Sequence, residues 1–206
     1  ATAIAETSAT TRDSEQKLDR LAEVAIRSGL GLAEGQELVM TASVEALPLA
    51  RLITKHAYKA GASLVTTLFT DEESGLLRYR YGADGTFDKA AAWLYEGMAA
   101  AYKSGAARLA ITGGNPSLLS QEDPEKVGRA NRAMSKAYRP ALELITRHDI
   151  NWTIVSAATP AWAAAVFPDL PADQALGRLW DAIFAASRAD QSDPVAAWAD
   201  AGHRER

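Results

Sequence analysis

The chain has 206 residues, of which 48% are hydrophobic, with a formal net charge of -4 and no cysteine. That length fits one domain with a sizeable core. No apolar run approaches the roughly 18 residues of a membrane span, the mild acidity excludes the basic stripe that a nucleic-acid partner requires, and the lack of cysteine removes disulfide frameworks and thiolate metal sites.

Residues 1–13 are rich in Ala and Thr but lack the basic flank and unbroken apolar stretch of a secretory signal, so a flexible tail and a cytoplasmic setting are expected. From Ser14 to Ser28 the apolar positions Leu18, Leu21, Ala22 and Ala25 recur at helical spacing, and Gly29 and Gly31 supply a stop. The run ELVMTASV, Glu37 to Val44, is short, apolar and β-branched, as a buried strand requires. Pro48 then sits where a first helical turn tolerates it, ahead of an apolar face at Leu49, Ile53, Ala57 and Ala60 that ends at Gly61.

The cycle repeats along the chain. Ser63 to Phe69 reads as a second strand, the segment after Thr70-Asp71-Glu72-Glu73 as a short capped helix, and Ala91 to Tyr102 as a helix ending at Gly105. Arg108 to Thr112 forms a third strand, and Asp123-Pro124 opens a long helix to about His148 with a kink predicted at Pro140. Asn151 to Ser156 is the fourth strand, Thr159-Pro160 and Asp193-Pro194 are further helix starts, and a helix through Leu176, Leu179, Trp180 and Ile183 lies between them. Strands alternating with helices through short connections define an α/β fold: a three-layer Rossmann-like or flavodoxin-like sandwich with a mainly parallel sheet of four or more strands, plus carboxy-terminal helices. The organisation is a tail (1–13), an α/β domain (14–190) and a helical linker start (191–206).

Open parallel sheets bind ligands beyond the carboxyl ends of their strands, which directs attention to three loops. The Thr112-Gly113-Gly114-Asn115 loop could offer backbone N–H groups to an anion, yet it matches no phosphate-binding signature and is first of all turn chemistry. Asp71, Glu72 and Glu73 could hold a hard cation through oxygen, although carboxylates in a first helical turn are commoner for their interaction with the helix dipole. Glu45, at the end of the first strand, could face a ligand, but a solvated or capping role is preferred. His56, His148 and His203 are far apart and show no metal-ligand spacing; His56 is expected at the rim of the core and His148 at a helix end. No G-x-S-x-G nucleophile elbow occurs. Arg51, Lys55 and Lys59 read as a solvated helix face, and Trp93, Trp152, Trp162, Trp180 and Trp198 as core or interface anchors. No catalytic and no metal-ligating residue is assigned.

Several longer strings nevertheless point to a family. GLAEGQELVMTASVEALPLARLITKHAYKAGASLV, RYRYGADGTFDKAAAWLYEGMAAAY, NPSLLSQEDPEKVGRANRAMSKAYRP, and the run from Asn151 to the closing Asp193-Pro194-Val195-Ala196-Ala197-Trp198 all contribute. Together they resemble the amino-terminal segment of the thermophilic-type metallo-aminopeptidases, the family of aminopeptidases T and S. The resemblance runs from about Lys17 to Trp198 and consists of scaffold motifs. It implies an exopeptidase that removes amino-terminal residues from peptides with two divalent metal ions (zinc, cobalt or manganese), in an assembly that is typically a homodimer. The family's metal ligands and general base are Glu, His and Asp residues of a carboxy-terminal half expected beyond Arg206; AGHRER, residues 201–206, departs from the continuing helix of the family.

Two readings follow. The first is the non-catalytic amino-terminal domain of such an enzyme, inactive by itself and without a metal of its own. The alternative is a stand-alone α/β module that binds a ligand or partner through Glu45, Asp71 and Asn115, a reading supported by fold analogy. Under the first reading, Val195 and Trp198 lie on an uncovered apolar face of the terminal helix.

Overall fold

The computed structural model describes residues 2–202, with side chains from Thr11 onward, so His203 lies outside the described residues. Helix α1 (Thr2–Val24) runs into a π-helical turn over Ala25–Leu30, closed by Gly31 in the left-handed conformation (φ 62°). The helix therefore starts at Thr2, where a tail was expected. TAIAETSATTRD contains neither Gly nor Pro and is rich in Ala, the strongest helix former, so nothing in the backbone stops the helix from extending upstream. Gly31 provides the stop, whereas Gly29 remains inside the turn.

Strand β1 (Glu37–Ser43) leads into α2 (Leu47–Lys59), with Pro48 in its first turn; β2 (Leu64–Thr70) follows. Helix α3 (Glu72–Tyr81) and α4 (Ala92–Lys103) flank a 3-10 turn at Asp84–Asp88 and precede β3 (Ala107–Thr112). Helix α5 (Pro124–Thr146) reaches β4 (Trp152–Ser156), after which come α6 (Pro160–Val166), α7 (Ala172–Ser187) and α8 (Pro194–Asp200). Helix α5 continues through Pro140. Pro140 and Lys136 are exposed, so the carbonyl that loses its i+4 donor faces water.

The four strands are parallel in the order β2-β1-β3-β4. This is the flavodoxin-like order, in which the chain reverses direction between β1 and β3. Met40 pairs with Thr67 on one side and Leu109 on the other, which places it at the centre of the sheet. One face carries Leu38, Met40, Leu109, Ile111 and Val155, covered by α1, α2 and Phe184 of α7. The opposite face, at Val39, is covered by Met98 and Tyr102 of α4 and Ala141 and Ile145 of α5. A smaller cluster at Ala163, Ala175 and Leu179 joins α6 to α7. Sheet residues are therefore apolar on both faces, which is why the strands read as runs rather than alternations.

The aromatic anchors divide. Trp180 stacks on Phe184 at 5.3 Å, and Trp152 and Trp162 pack against core clusters. Trp93 is 74% exposed and anchors nothing within the described residues. Trp198 is half-buried rather than uncovered: its indole N–H donates to the Ser187 carbonyl at 2.8 Å, and the Arg188 guanidinium lies over its ring. Val195 is half-buried too, because α8 folds back onto α1 and the π-helical turn. Among the described residues, no helix is long and apolar enough to cross a membrane.

Candidate functional site

The loops that follow the four strands all lie at the carboxyl end of the sheet, and those after β2, β3 and β4 are tied to one another. After β1, the Ser43 hydroxyl accepts the Glu45 N–H at 3.2 Å, while the Glu45 side chain is exposed. After β2, Asp71 caps α3: its carboxylate accepts from the Ser74 N–H (3.1 Å) and hydroxyl (2.7 Å), and these bonds hold its carboxyl below the usual range.

After β3, Gly113 turns with φ 133°, and a Cβ there would fall 1.9 Å from the Ala157 carbonyl oxygen, so only glycine fits. The next turn of backbone receives Glu72: its Oε1 accepts the Asn115 N–H at 2.9 Å and would lie 2.1 Å from a Cβ on Gly114. Asn115 Oδ1 accepts from the Ser117 N–H. After β4, the Thr159 hydroxyl donates to the Gly113 carbonyl at 2.5 Å and caps α6 by accepting from Trp162 N–H. The Gly-Gly-Asn turn already hosts an anion, the chain's own Glu72 carboxylate.

Among the three predicted loop candidates, Asp71 and Asn115 are thus structural partners within their loops, and Glu45 stands apart in solvent. Glu72, read from the sequence as a possible cation ligand or first-turn carboxylate, instead joins the second loop to the third, and that contact is what the sequence reading missed. Its signal was Gly114, a residue without a side chain facing a first-turn carboxylate 42 positions earlier, which no local pattern reports.

The histidines occupy other places. His56 is buried on α2 with Nε2 3.0 Å from Asp19 Oδ1 of α1, the same oxygen that takes the Lys55 ammonium. Burial pushes the Asp19 carboxyl up, but the hydrogen bonds and charges of Lys55 and His56 outweigh it and hold it below its ordinary value. Arg51, Lys55 and Lys59 are exposed, as expected of a solvated helix face, and Lys55 in addition pairs with Asp19. His148 follows the end of α5 with φ 57°, a position its backbone N–H stabilises by donating to Ile145.

A second charged cluster joins the 3-10 turn Asp84–Asp88 to α5. Arg129 of α5 binds Asp84 (2.8 Å) and Asp88 (2.9 Å), holding both carboxyls below their usual range. On the α4 side of the sheet, burial pushes the Tyr102 phenol up to about 12, with the Arg108 guanidinium beside it pulling the other way.

Fold and loops together define a doubly wound α/β domain in which Asp19, Glu72 and Arg129 join one segment of the chain to another. Its family is explicit: the chain belongs to the thermophilic metalloproteases (M29), matched over residues 14–205. It is 53% identical over 184 residues to the aminopeptidase T of Thermus thermophilus, covering 89% of this chain and 45% of that protein. It is 36% identical over 192 residues to aminopeptidase 2 of Geobacillus stearothermophilus, covering 93% of this chain and 46% of that protein. The solved structure of wild-type AmpT from Thermus thermophilus aligns with a TM-score of 0.83 at 50% identity, over 89% of this chain and 45% of that one. The chain spans about half the length of the relatives it matches.

Proposed function

We propose that this chain is the non-catalytic amino-terminal half of a metal-dependent aminopeptidase that removes amino-terminal residues from peptides. The observation that carries the reading is the pair of coverages: 89% of this chain aligns to an aminopeptidase T, yet only 45% of that enzyme is accounted for. The side chains at hand do not fit a two-metal centre. Such a centre requires several carboxylate and imidazole ligands converging on one point. Asp71 is committed to a helix cap, Glu72 to Asn115, and His56 to Asp19. Among the described residues, no group of three or more His, Asp or Glu could hold a metal ion. What this chain's own residues contribute is a rigid platform: four parallel strands whose carboxyl-end loops are fastened by Glu72, Asn115 and Thr159.

The reading includes a homodimer of the full-length enzyme, peptide substrates, divalent ions held by the other half, and a cytoplasmic setting. The test is to join this chain to the carboxy-terminal half of the Thermus thermophilus aminopeptidase T. Metal-dependent cleavage of a leucyl anilide by the chimera, with none by this chain, is expected. Turnover by this chain itself would reject the non-catalytic assignment.

A further inference from the structure

Strand β4 ends the sheet, and among the described residues no strand pairs with its outer edge. Asn151 C=O and Ala157 N–H point toward β3, so by alternation Trp152, Ile154 and Ser156 direct their N–H and C=O groups outward. Sheet edges are ordinarily guarded by a charge, a proline or a covering side chain. NWTIVSA, residues 151–157, contains neither charge nor proline, and Ile154 is 52% exposed. The opposite edge differs: at β2 the Val65 N–H is already taken by the Tyr58 hydroxyl at 3.1 Å.

Beside β4 lies a groove of about 600 Å³ lined by Leu21, Val24, Thr153, Val155, Val195 and Trp198, with Arg27, paired to Glu23, also on its wall. Its size suits a few apolar side chains, and Trp198 is fixed there by its bond to Ser187. Connection handedness sets the direction of whatever pairs with β4. The step β3-α5-β4 passes over the α4/α5 face, whereas the chain leaving β4 packs α7 on the α1/α2 face. A parallel strand delivered from there to the outside of β4 would be a left-handed crossover, which folds almost never use. An antiparallel edge strand on an otherwise parallel sheet is common.

We propose that the outer edge of β4 and its groove form the docking surface for the second half of the aminopeptidase, which adds an extended segment antiparallel to β4 and seats apolar side chains beside Trp198. This rests on the functional reading above and on relatives of roughly twice this length, whose other half needs a surface on this domain. Amide hydrogen exchange tests it. In this chain, Ile154 and Ser156 amides exchange quickly while Val155 is protected; in the chimera with the Thermus thermophilus carboxy-terminal half, Ile154 and Ser156 slow by at least about tenfold, as edge amides do when a strand is added. Unchanged exchange in a folded chimera overturns the proposal, even if that chimera cleaves the leucyl anilide and so upholds the functional reading. Protection with no cleavage leaves the docking surface standing and counts against the function. Protection that rises with the concentration of this chain assigns the edge to a second copy and overturns the proposal too. Ile154→Lys provides a second readout: it lowers the melting temperature of the chimera and leaves that of this chain unchanged, and equal effects on both would contradict the assignment.

Discussion

The Asn115 N–H donates to Glu72 Oε1 at 2.9 Å, joining the loop after β3 to the first turn of α3. Glu72 is half-buried, so its removal leaves a backbone donor without its partner. Glu72→Ala should destabilise the chain by about 1–3 kcal/mol in urea unfolding, with faster amide exchange at Asn115. Glu72→Gln, which keeps an oxygen acceptor, should recover most of the loss. Equal effects from both substitutions would mean that the bond contributes nothing.

Asp19 links α1 to α2 through Lys55 and His56. Its carboxyl titrates below the ordinary aspartate value in the folded chain, so its contribution is present above that ordinary value and is lost as pH falls through the lowered folded one. Asp19→Asn should therefore weaken the chain at neutral pH and converge on the wild type in acid. Because Asp19 is 39% exposed, solvent screening limits the effect to on the order of 1 kcal/mol. Denaturant midpoints at pH 7 and pH 3 measure it, and a difference that grows toward acid contradicts the linkage.

Phe87 of the 3-10 turn Asp84–Asp88 is fully buried, 5.2 Å from the Tyr79 ring, with the Arg78 and Lys126 cations over its face. Phe87→Ala should cost about 3–5 kcal/mol, the range for a deleted aromatic core side chain. Arg129→Ala should release Asp84 and Asp88 and render residues 82–91 sensitive to limited proteolysis while leaving the sheet intact. A segment as resistant as the wild type would contradict its anchoring role.

The sequence disclosed those features that depend on neighbours in the chain. Pro48, Asp123-Pro124, Thr159-Pro160 and Asp193-Pro194 mark helix starts because capping and first-turn proline act within a few residues, and each became one. Strand runs such as ELVMTAS were legible because burial on both faces demands continuous apolar character. Contacts between distant segments stayed hidden: Glu72 to Asn115, Thr159 to Gly113, and Arg129 to Asp84 and Asp88 join loops and helices that only the strand order brings together. Trp93 shows the limit of reasoning from residue type, since an aromatic ring that usually buries itself stands 74% exposed.

The most direct measurement is calorimetric titration of this chain with zinc, cobalt and manganese, paired with a leucyl-anilide assay in the same buffers. His56 and Asp71 are already engaged within the fold, and oxygen-only surface carboxylates compete poorly for zinc. The expected result is weak, non-stoichiometric metal binding and no hydrolysis. Tight binding of two ions per chain, together with turnover abolished by a chelator, would contradict the assignment of this domain as the non-catalytic half.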